Sequence, residues 1–265
     1  MNADQFNDMP EKMNLARKSM KHRHLSAGKA HPVILITGAS QGIGAAIAMT
    51  FAGEARGCRL ALVARSEKNL RAVARACKKL GAGAAEVFPC DVTDPAAVEA
   101  MAAAVRKKFR GVDVLINNAG SFFGAPFLKT PLEKFDAMLA ANLRSAFLVS
   151  QAFAPAMVKR RRGDIFFMGS IASFKALPGM AAYGAAKFGV LGLARVLREE
   201  LRATGVRVIA VMPGPTWTPS WGGQGVPAAR LMPAGDVARV FLDTWRLSRQ
   251  TVVEEVILQP PLGEL

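Results

Sequence analysis

Seven short, almost wholly apolar segments recur along the chain, separated by longer stretches with helical periodicity. The segments are PVILIT (32–37), RLALVA (59–64), AEVFPC (85–90), VDVLIN (112–117), DIFFMG (164–169), VRVIAV (206–211) and EEVILQ (254–259). Continuous apolar runs, unlike alternating ones, predict a sheet that is covered on both faces. Strands that alternate with helices predict parallel pairing. The pattern therefore predicts an α/β fold, a single Rossmann-like, doubly wound parallel sheet of seven strands flanked by helices.

The helical stretches are clearest over 42–56, 67–80, 95–109 and 181–203. Residues 1–31 differ, because they are polar and lack a sustained apolar period. We expect a disordered basic N-terminal extension over 1–31 and one folded domain over 32–265. All three histidines, His22, His24 and His31, fall in the extension. The folded region therefore has no candidate for Ser–His hydrolysis or for a His-ligated metal, and no metal site is expected.

The net charge of +15 has two interpretations. One is an anionic partner, such as nucleic acid, a phosphorylated cofactor or an acidic carrier protein. The other, which we favour, is a solvated basic surface, because the basic residues are spread widely. The densest run, KRRRG (159–163), lies where a helix should end at Gly163 and has no interleaved aromatic residues for base stacking. Nucleic acid is therefore disfavoured as a partner.

The three cysteines, Cys58, Cys77 and Cys90, are scattered and form no CxxC pair. Such a set favours free buried thiols in a reducing compartment. The sequence has no charge-free apolar span of 18 residues and no secretory leader pattern. We expect a cytoplasmic protein without a membrane segment.

A glycine-rich turn follows the first apolar segment directly, in LITGASQGIGAAIA. Glycine permits positive φ at a tight turn and lets the backbone approach a pyrophosphate, while the N–H groups of the following helix face the phosphate oxygens. The expected dinucleotide contacts in this turn are Gly38, Ser40, Gln41, Gly42, Ile43 and Gly44.

The end of the second apolar segment indicates which dinucleotide binds. An NAD site places a carboxylate here to hold the ribose 2′-hydroxyl. This chain has Ala64 there, followed by Arg65 and Ser66. A guanidinium can bind a 2′-phosphate that a carboxylate would repel. The sequence predicts NADP(H) in preference to NAD(H).

Further motifs follow in a fixed order: CDV (90–92), NNAG (117–120), Asn142 in ANLRS, GSIAS (169–173), YGAAK (183–187) and PGPTWT (213–218). Together with TGASQGIG (37–44), they resemble the short-chain dehydrogenase/reductase family of the standard NAD(P)-dependent type. The resemblance runs from about Pro32 to the end of the chain. It implies an NADPH-dependent oxidoreductase that interconverts a carbonyl and an alcohol by hydride transfer.

The resemblance implies four catalytic residues. Tyr183 is the expected general acid or base, Ser170 would bind the substrate oxygen, and Asn142 would hold a water of a proton relay behind Lys187. Lys187 would also hydrogen-bond the nicotinamide ribose. It stands one helical turn from Tyr183, so its ammonium is expected to lower the pKa of that phenol. Tyr183 is the only tyrosine in a chain with 15 phenylalanines, which disfavours a purely packing role.

The resemblance also extends the cofactor site beyond the glycine-rich turn. The further expected contacts are Asp91 and Val92 at the adenine, Asn118, Ala119 and Gly120 beside its ribose, Tyr183 and Lys187 at the nicotinamide ribose, and Pro213, Gly214, Thr216 and Thr218 at the nicotinamide end. Asn117 is expected instead to brace the central strands.

Three loops should meet at the carboxyl edge of the sheet and form the substrate pocket. Its candidate lining residues are Phe122, Phe123, Phe174, Met180, Trp217 and Trp221, each of which has a core role as its alternative. Lys175 is the one basic candidate in these loops, so we expect an uncharged ketone or aldehyde as substrate. The family further implies a dimer or tetramer formed through helices near 142–162 and 181–203.

Two other functions stay open. One is a 3-oxoacyl-carrier-protein reductase, although that subgroup usually ends in a Gly-rich segment and this chain ends VEEVILQPPLGEL. The other is a non-catalytic NADP(H) sensor with a basic nucleic-acid-binding surface. The complete set Asn142, Ser170, Tyr183 and Lys187 argues against a sensor, which needs no proton-transfer residues.

Overall fold

A computed structural model describes residues 31–219 and 225–263. Pro32–Leu265 form a unit separate from Met1–His31. The expected N-terminal extension, apart from His31, lies outside the described residues, and so does the pocket candidate Trp221.

Seven strands form one sheet in the order β3-β2-β1-β4-β5-β6-β7, with every neighbouring pair parallel. The strands are β1 (Val33–Thr37), β2 (Arg59–Ala64), β3 (Ala84–Pro89), β4 (Val114–Asn117), β5 (Gly163–Met168), β6 (Val206–Pro213) and β7 (Glu255–Leu258). The predicted doubly wound sheet is confirmed. Strand order reverses between β1 and β4, and the crevice beyond their carboxyl ends is where such sheets bind ligands.

The helices of the described residues are α1 (Gly42–Glu54), α2 (Glu67–Leu80), α3 (Pro95–Phe109), α4 (Leu132–Met138), α5 (Ser145–Lys159), α6 (Ala181–Leu201) and α7 (Ala234–Arg246). A π-helical segment, Leu139–Arg144, joins α4 to α5. Helix α7 was not among the predicted stretches. No helix in the described part of the chain is long and apolar enough to cross a membrane.

The central strands are buried on both faces, as their apolar runs predict. On β1, Val33 and Leu35 face one hydrophobic cluster, while Ile34 and Ile36 face the other. The edge strand β7 differs, since Ile257 is 55% exposed. A continuous apolar run therefore does not mean two-sided burial for a strand with a neighbour on one side only.

The basic run after α5 is used structurally. Gly163 already belongs to β5 and does not end the helix, so that expectation is wrong; Arg161 takes the left-handed conformation instead, with φ of 50°. Arg160 donates to the carbonyl oxygen of Val112 over 2.6 Å, and Arg161 donates to that of Ala203 over 3.0 Å. Both guanidinium groups tie loops together at the amino edge of the sheet, opposite the ligand crevice.

A buried ion pair also lies at this amino edge. Asp164 Oδ1 accepts from Arg207 Nε and from Arg249 Nη1, each over 2.6 Å. Arg207 donates to four backbone carbonyls as well, those of Trp245, Leu247, Ser248 and Thr251. This pair fastens the segment that follows α7 to β5 and β6.

The three cysteines are buried free thiols. Burial raises the pKa of Cys58 and of Cys77 to about 12 and that of Cys90 to about 11. The thiols are therefore inert near neutral pH, in line with the expectation from their spacing.

Candidate active site

The glycine-rich turn joins β1 to α1 at the reversal of strand order. Gly42, the first residue of α1, has φ of 56°, a conformation that residues with a side chain rarely adopt. A Cβ on Gly44 would lie 2.3 Å from the carbonyl oxygen of Gly38, so only glycine allows this packing. Gln41 caps the helix without a side-chain hydrogen bond. The first N–H groups of α1 are therefore available to an anion.

Ser40 and Ile43 in this turn are both half-buried, and the side chain of Ile43 packs against the hydrophobic cluster on the α1 side of the sheet.

The turn is held by residues at the end of β4. The side-chain amide of Asn118 donates to the carbonyl oxygens of Thr37 at 2.9 Å and Gly38 at 3.3 Å. Thr37 Oγ1 accepts from the backbone N–H groups of Asn118 at 3.0 Å and Ala119 at 2.9 Å. The role of Thr37 has no local sequence signal, because its partners lie about 80 residues away and meet it only once β1 and β4 pair.

The carboxyl end of β2 carries the residues expected to select the cofactor. Arg65 is exposed, and Ser66 caps α2 by accepting from the backbone N–H of Asn69 at 3.4 Å. Arg65 is close enough to Asp91 for its positive charge to contribute to the lowered pKa of that carboxyl. The guanidinium thus lies beside the end of β3.

At the end of β3, Asp91 shapes a turn. Its Oδ1 accepts from the backbone N–H of Thr93 at 2.9 Å and from Thr93 Oγ1 at 2.7 Å. These hydrogen bonds are the main cause of the lowered pKa of Asp91. Val92 is buried, so only its backbone can face a ligand.

Two asparagines, Asn117 and Asn142, are buried near the crevice, and each has a side-chain oxygen that is unsatisfied among the described residues. Asn117 donates to Ser150 Oγ over 2.9 Å and so braces β4 against α5, as expected. Asn142, in the π-helical segment, donates from Nδ2 to the carbonyl oxygens of Ser121 and Met138, both at 3.0 Å. The Oδ1 atoms of both asparagines are buried and accept no hydrogen bond from the described residues.

Tyr183, Ser170 and Lys187 come together beyond the carboxyl end of β5. Ser170 follows β5 and hydrogen-bonds the Tyr183 side chain. Its Oγ also accepts from the backbone N–H of Ala172 at 3.2 Å. Lys187 Nζ lies 5.6 Å from the centre of the Tyr183 ring and donates to the carbonyl oxygen of Met168 over 2.8 Å. One helix face and one strand end therefore position a phenol, a hydroxyl and an amine.

Burial controls the protonation of this group. It raises the pKa of Tyr183, and the hydrogen bond with Ser170 offsets this only in part. Burial also lowers the pKa of Lys187 to about 8, because the 5% exposed ammonium loses hydration. The expected lowering of the Tyr183 pKa by Lys187 is therefore wrong for this structure.

The residues after β6 approach the glycine-rich turn from the other side. Pro213 ends β6, and a Cβ on Gly214 would lie 2.4 Å from Gln259 Oε1. Thr216 is buried and donates to the carbonyl oxygen of Gly214 over 3.0 Å. The methyl group of Thr218 lies 3.3 Å from where a Gly42 Cβ would be. Thr218 thus covers the turn, whereas the hydroxyl of Thr216 is engaged within its own loop.

Phe122 is the pocket candidate in direct contact with the phenol. Its ring is 59% exposed and meets the Tyr183 ring nearly edge-on, with centroids 5.1 Å apart and planes at 76°. Phe123 is half-buried and, like Tyr183, packs against the buried cluster of Met138, Ala182 and Ala186. Lys134 was not among the predicted site residues; its Nζ lies 5.8 Å from the Phe123 ring centre once α4 folds against this loop.

The other pocket candidates among the described residues are Phe174 and Met180 in loop 174–180, and Trp217 in the loop after β6. Phe174 is 36% exposed and Trp217 is 52% exposed, while Met180 is half-buried. Loop 121–125 is tied to loop 174–180 by the backbone N–H of Ala125, which donates to the carbonyl oxygen of Gly179 over 2.8 Å. The described residues contain no group of His, Cys, Asp and Glu side chains that could hold a metal ion.

Comparison with known proteins agrees with this architecture. The family model described as short chain dehydrogenase matches residues 32–225. The chain is 35% identical over 241 residues to sepiapterin reductase of Chlorobaculum tepidum, covering 88% of this chain and 98% of that protein. It is 37% identical over 182 residues to a 3-oxoacyl-acyl-carrier-protein reductase of Escherichia coli, covering 69% and 72%.

A solved structure of a metagenomic short-chain oxidoreductase in complex with NADP superimposes with a TM-score of 0.75 and 36% identity, over 88% of this chain and 98% of that one. The chain therefore belongs to the short chain dehydrogenase family. It is an oxidoreductase that acts on alcohol and carbonyl groups of small molecules, with a nicotinamide dinucleotide as cofactor.

Proposed function

We propose that the protein is an NADPH-dependent carbonyl reductase in which Tyr183 is the general acid. The observation that carries the proposal is the grouping of the half-buried Tyr183 with the buried Ser170 and Lys187 beyond β5. The raised pKa of Tyr183 keeps its hydroxyl protonated near neutral pH. A protonated phenol serves reduction, in which the carbonyl oxygen must receive a proton.

The bound reduced nicotinamide supplies the hydride, and the protein supplies the proton. Ser170 binds the substrate oxygen, and Tyr183 gives that oxygen its proton. Lys187, with a pKa of about 8, both holds and releases a proton near neutral pH and is suited to restore the phenol. In the proposed relay, Asn142 holds a water molecule that connects Lys187 to solvent. The hydrogen bonds from its Nδ2 to the carbonyl oxygens of Ser121 and Met138 fix the residue in place for this role.

We further propose NADP(H) over NAD(H). The exposed guanidinium of Arg65, next to a strand end without a carboxylate, fits a 2′-phosphate. The remaining proposed contacts are the backbone and side chains of Gly38, Ser40, Gln41, Gly42, Ile43, Gly44, Ser66, Asp91, Val92, Asn118, Ala119, Gly120, Pro213, Gly214, Thr216 and Thr218. The NADP complex of the related metagenomic oxidoreductase supports the same choice.

The proposed substrate is an uncharged ketone or aldehyde with an apolar group beside the carbonyl. Phe122 supports this, because an exposed aromatic ring in contact with Tyr183 presents an apolar wall at the phenol. Phe174, Met180 and Trp217 are the other proposed lining residues.

A carrier-protein thioester is the second candidate substrate. The relative that reduces 3-oxoacyl groups on acyl carrier protein and the net charge of +15 favour it. The two candidates are separated by measuring kcat/KM for a 3-oxoacyl thioester of the acidic carrier protein and for the same acyl group on a short thiol. A large advantage in kcat/KM for the carrier-bound form would favour the carrier-protein activity.

The non-catalytic sensor receives no support. The chain belongs to an oxidoreductase family, and Arg160 and Arg161 in its densest basic run bind backbone carbonyls. These hydrogen bonds explain part of the basic run without a nucleic-acid partner.

We also propose self-association as a dimer or tetramer through α5 and α6. Phe147 and Phe188 are 46% and 48% exposed on these helices, and Val196 is 57% exposed. A hollow of about 580 Å³ on this side of the molecule is lined mainly by apolar residues. Phe188→Glu should reduce the sedimentation coefficient, whereas Phe127→Glu, on the loop before α4, should leave it unchanged.

The test of the reductase itself is NADPH oxidation with ketone and aldehyde substrates, compared between the wild type and Tyr183→Phe. The substitution keeps the ring and removes its proton. Loss of turnover with unchanged NADPH binding is the expected result.

A further inference from the structure

Exposed Lys and Arg residues that are far apart in sequence gather at the amino edge of the sheet. In an all-parallel sheet with helical connections, each helix runs back along its strands and so ends at this edge. Arg106 of α3 donates to the carbonyl oxygen of Ala152 of α5 over 3.3 Å, and Lys108 Nζ lies 3.3 Å from Glu86 Oε1 of the edge strand β3. We call the exposed cations at the ends of α2, α3 and α5 the basic patch: Lys78, Lys79, Arg106, Lys107, Lys108, Arg110, Lys159, Arg160, Arg161 and Arg162.

Most carboxylates at the same edge are already bound by other groups. Glu54 pairs with Arg239 and Arg246, Glu86 with Lys108, Glu199 with Arg202, and Asp164 with Arg207 and Arg249. The carboxyl edge differs, because its exposed lysines are interspersed with exposed acids: Lys68, Lys129 and Lys134 with Glu67, Glu133 and Asp136. The fold thus places an excess of positive charge on the side opposite the candidate active site.

Helix geometry explains only part of this excess. The macrodipole of a helix favours cations in its last turn, which accounts for Lys78 and Lys79 in α2. Arg161 and Arg162 lie beyond the end of α5, where this effect has faded. Mutual repulsion among neighbouring cations opposes the compact state, and an anionic partner would offset it.

The start of the folded unit adds charge at the same edge. The carbonyl oxygen of Pro32 accepts from the backbone N–H of Arg59 at 2.9 Å, so the chain enters the sheet beside the first residue of β2. Residues 1–31, which precede Pro32 in the chain, contain six Lys and Arg residues against three Asp and Glu residues. The sequence is therefore basic where it joins the edge that carries the basic patch.

We propose that the basic patch docks on the surface of an anionic lipid bilayer. Its cations come from helices on both faces of the sheet, an arrangement that suits a broad surface of uniform negative charge. Leu80, 45% exposed at the end of α2, can enter the lipid interface beside them. Exposed aromatic rings, which would stack on nucleic-acid bases, lie instead on loops of the carboxyl edge, such as Phe122, Phe127 and Trp217.

This inference goes beyond the proposed function and differs from the solvated basic surface that the sequence favours. The sequence spreads the cations along the chain, whereas the fold collects them at one edge. A protein docked by the basic patch keeps Tyr183 and the other site residues on the side that faces away from the bilayer. Docking should therefore leave the reduction of a water-soluble ketone unchanged.

The test is co-sedimentation of the full-length protein with vesicles of phosphatidylglycerol and phosphatidylcholine in equal parts. At low salt the protein should partition onto them at least about 100-fold more strongly than onto pure phosphatidylcholine, because each Lys or Arg near an anionic surface contributes about fivefold. High salt should abolish the difference. The triple variant Lys79→Glu, Lys107→Glu and Arg162→Glu should weaken partitioning onto the anionic vesicles about 100-fold.

The matched control is the triple variant Lys68→Glu, Lys129→Glu and Lys134→Glu, which makes the same change in net charge at the carboxyl edge. It should weaken partitioning less than about fivefold, since these groups would lie more than a Debye length from the bilayer. Equal weakening by the two triple variants would overturn the inference, because net charge rather than the basic patch would then determine binding.

Absence of a preference for anionic vesicles at low salt would also overturn the inference. Retention on a DNA duplex at a salt concentration that releases the vesicles would overturn it too and would assign the basic patch to nucleic acid. NADPH binding checks that the patch variant is folded; if it is not, Lys107→Glu alone replaces it, with an expected loss of about fivefold. Tyr183→Phe should bind vesicles as the wild type does, so failure of the proposed reduction would leave this result unchanged.

Discussion

The amine of Lys187 donates a hydrogen bond to the backbone carbonyl of Met168 over 2.8 Å, within a site where the lysine is 5% exposed. This places a cation at the end of β5 with little water around it. Burial, rather than a partner charge, therefore sets its protonation and lowers its pKa to about 8.

The depressed pKa of Lys187 predicts a pH-dependent stability. The folded state releases the proton near pH 8, whereas the unfolded chain holds it to about pH 10.5, so the unfolded state binds more protons between these values. The free energy of unfolding of the wild type relative to Lys187→Met should rise by about 3 kcal/mol from pH 7 to pH 10.5. Urea denaturation at several pH values measures this difference. A flat result for Lys187→Met would contradict the account.

Arg65 predicts the cofactor preference. Arg65→Glu should weaken NADPH binding about 10- to 100-fold, because a charged hydrogen bond is lost and a carboxylate faces the phosphate. NADH binding should be unchanged or tighter. Fluorescence titration with both cofactors provides the measurement, and Arg71→Ala, one turn along α2 and paired with Glu67, is the control. Equal loss of affinity for the two cofactors would contradict 2′-phosphate recognition.

Phe122 predicts a change in both specificity and pH dependence. In the proposed pocket, an aryl ketone would pack against the exposed ring of Phe122. Phe122→Ala removes that aromatic contact and should lower kcat/KM for aryl ketones about 3- to 10-fold, with a smaller effect on short aliphatic ketones. The substitution also admits water to Tyr183, which reduces the effect of burial that raises its pKa. Reduction, which needs the protonated phenol, should therefore decline at a lower pH than in the wild type. The surface control Phe127→Ala, at a 75% exposed ring, should keep the wild-type pH profile. A wild-type pH profile in Phe122→Ala would contradict the role assigned to Phe122.

Removal of the buried ion pair at the amino edge of the sheet should lower the free energy of unfolding without lowering the activity of the folded enzyme. Asp164→Asn leaves Arg207 and Arg249 facing a neutral group, and removal of one partner of a buried pair typically costs about 3–5 kcal/mol. The folded variant should keep its KM, since the pair lies at the edge opposite the site. Urea unfolding and steady-state kinetics check both parts. Asp243→Asn, an exposed partner of Arg239, should cost about 0–1 kcal/mol.

The strands and the glycine-rich turn were predictable because their signals are local. Each apolar run is a strand within one or two residues of its expected bounds, and Gly42 and Gly44 stand where β1 becomes α1. Local signals did not predict the exposure of β7, whose apolar run forms a half-exposed edge strand. They also predicted Gly163 as the end of α5, whereas Arg161 is the residue in the left-handed conformation there. Whether a strand lies at the edge of the sheet, and where a helix ends, depend on tertiary packing that a short stretch of sequence does not specify.

Motif spacing predicts which residues form the candidate site, but it does not predict their pKa values. Motif spacing pointed to Tyr183 and Lys187, but the direction of the Tyr183 pKa depends on burial, which the sequence does not display. Thr37 and Lys134 were missed because their partners are distant in sequence or belong to a loop placed by α4. The crowding of Gly120 against Asn142 likewise arises only when the end of β4 meets the π-helical segment.

The central claim is that Tyr183 protonates a carbonyl oxygen during NADPH-dependent reduction. The most direct measurement is NADPH consumption over a panel of ketones, aldehydes and short acyl esters, run in parallel for the wild type and Tyr183→Phe. The account predicts turnover of one or more panel members by the wild type and loss of that turnover in Tyr183→Phe, with NADPH binding retained. Turnover that survives in Tyr183→Phe would contradict it.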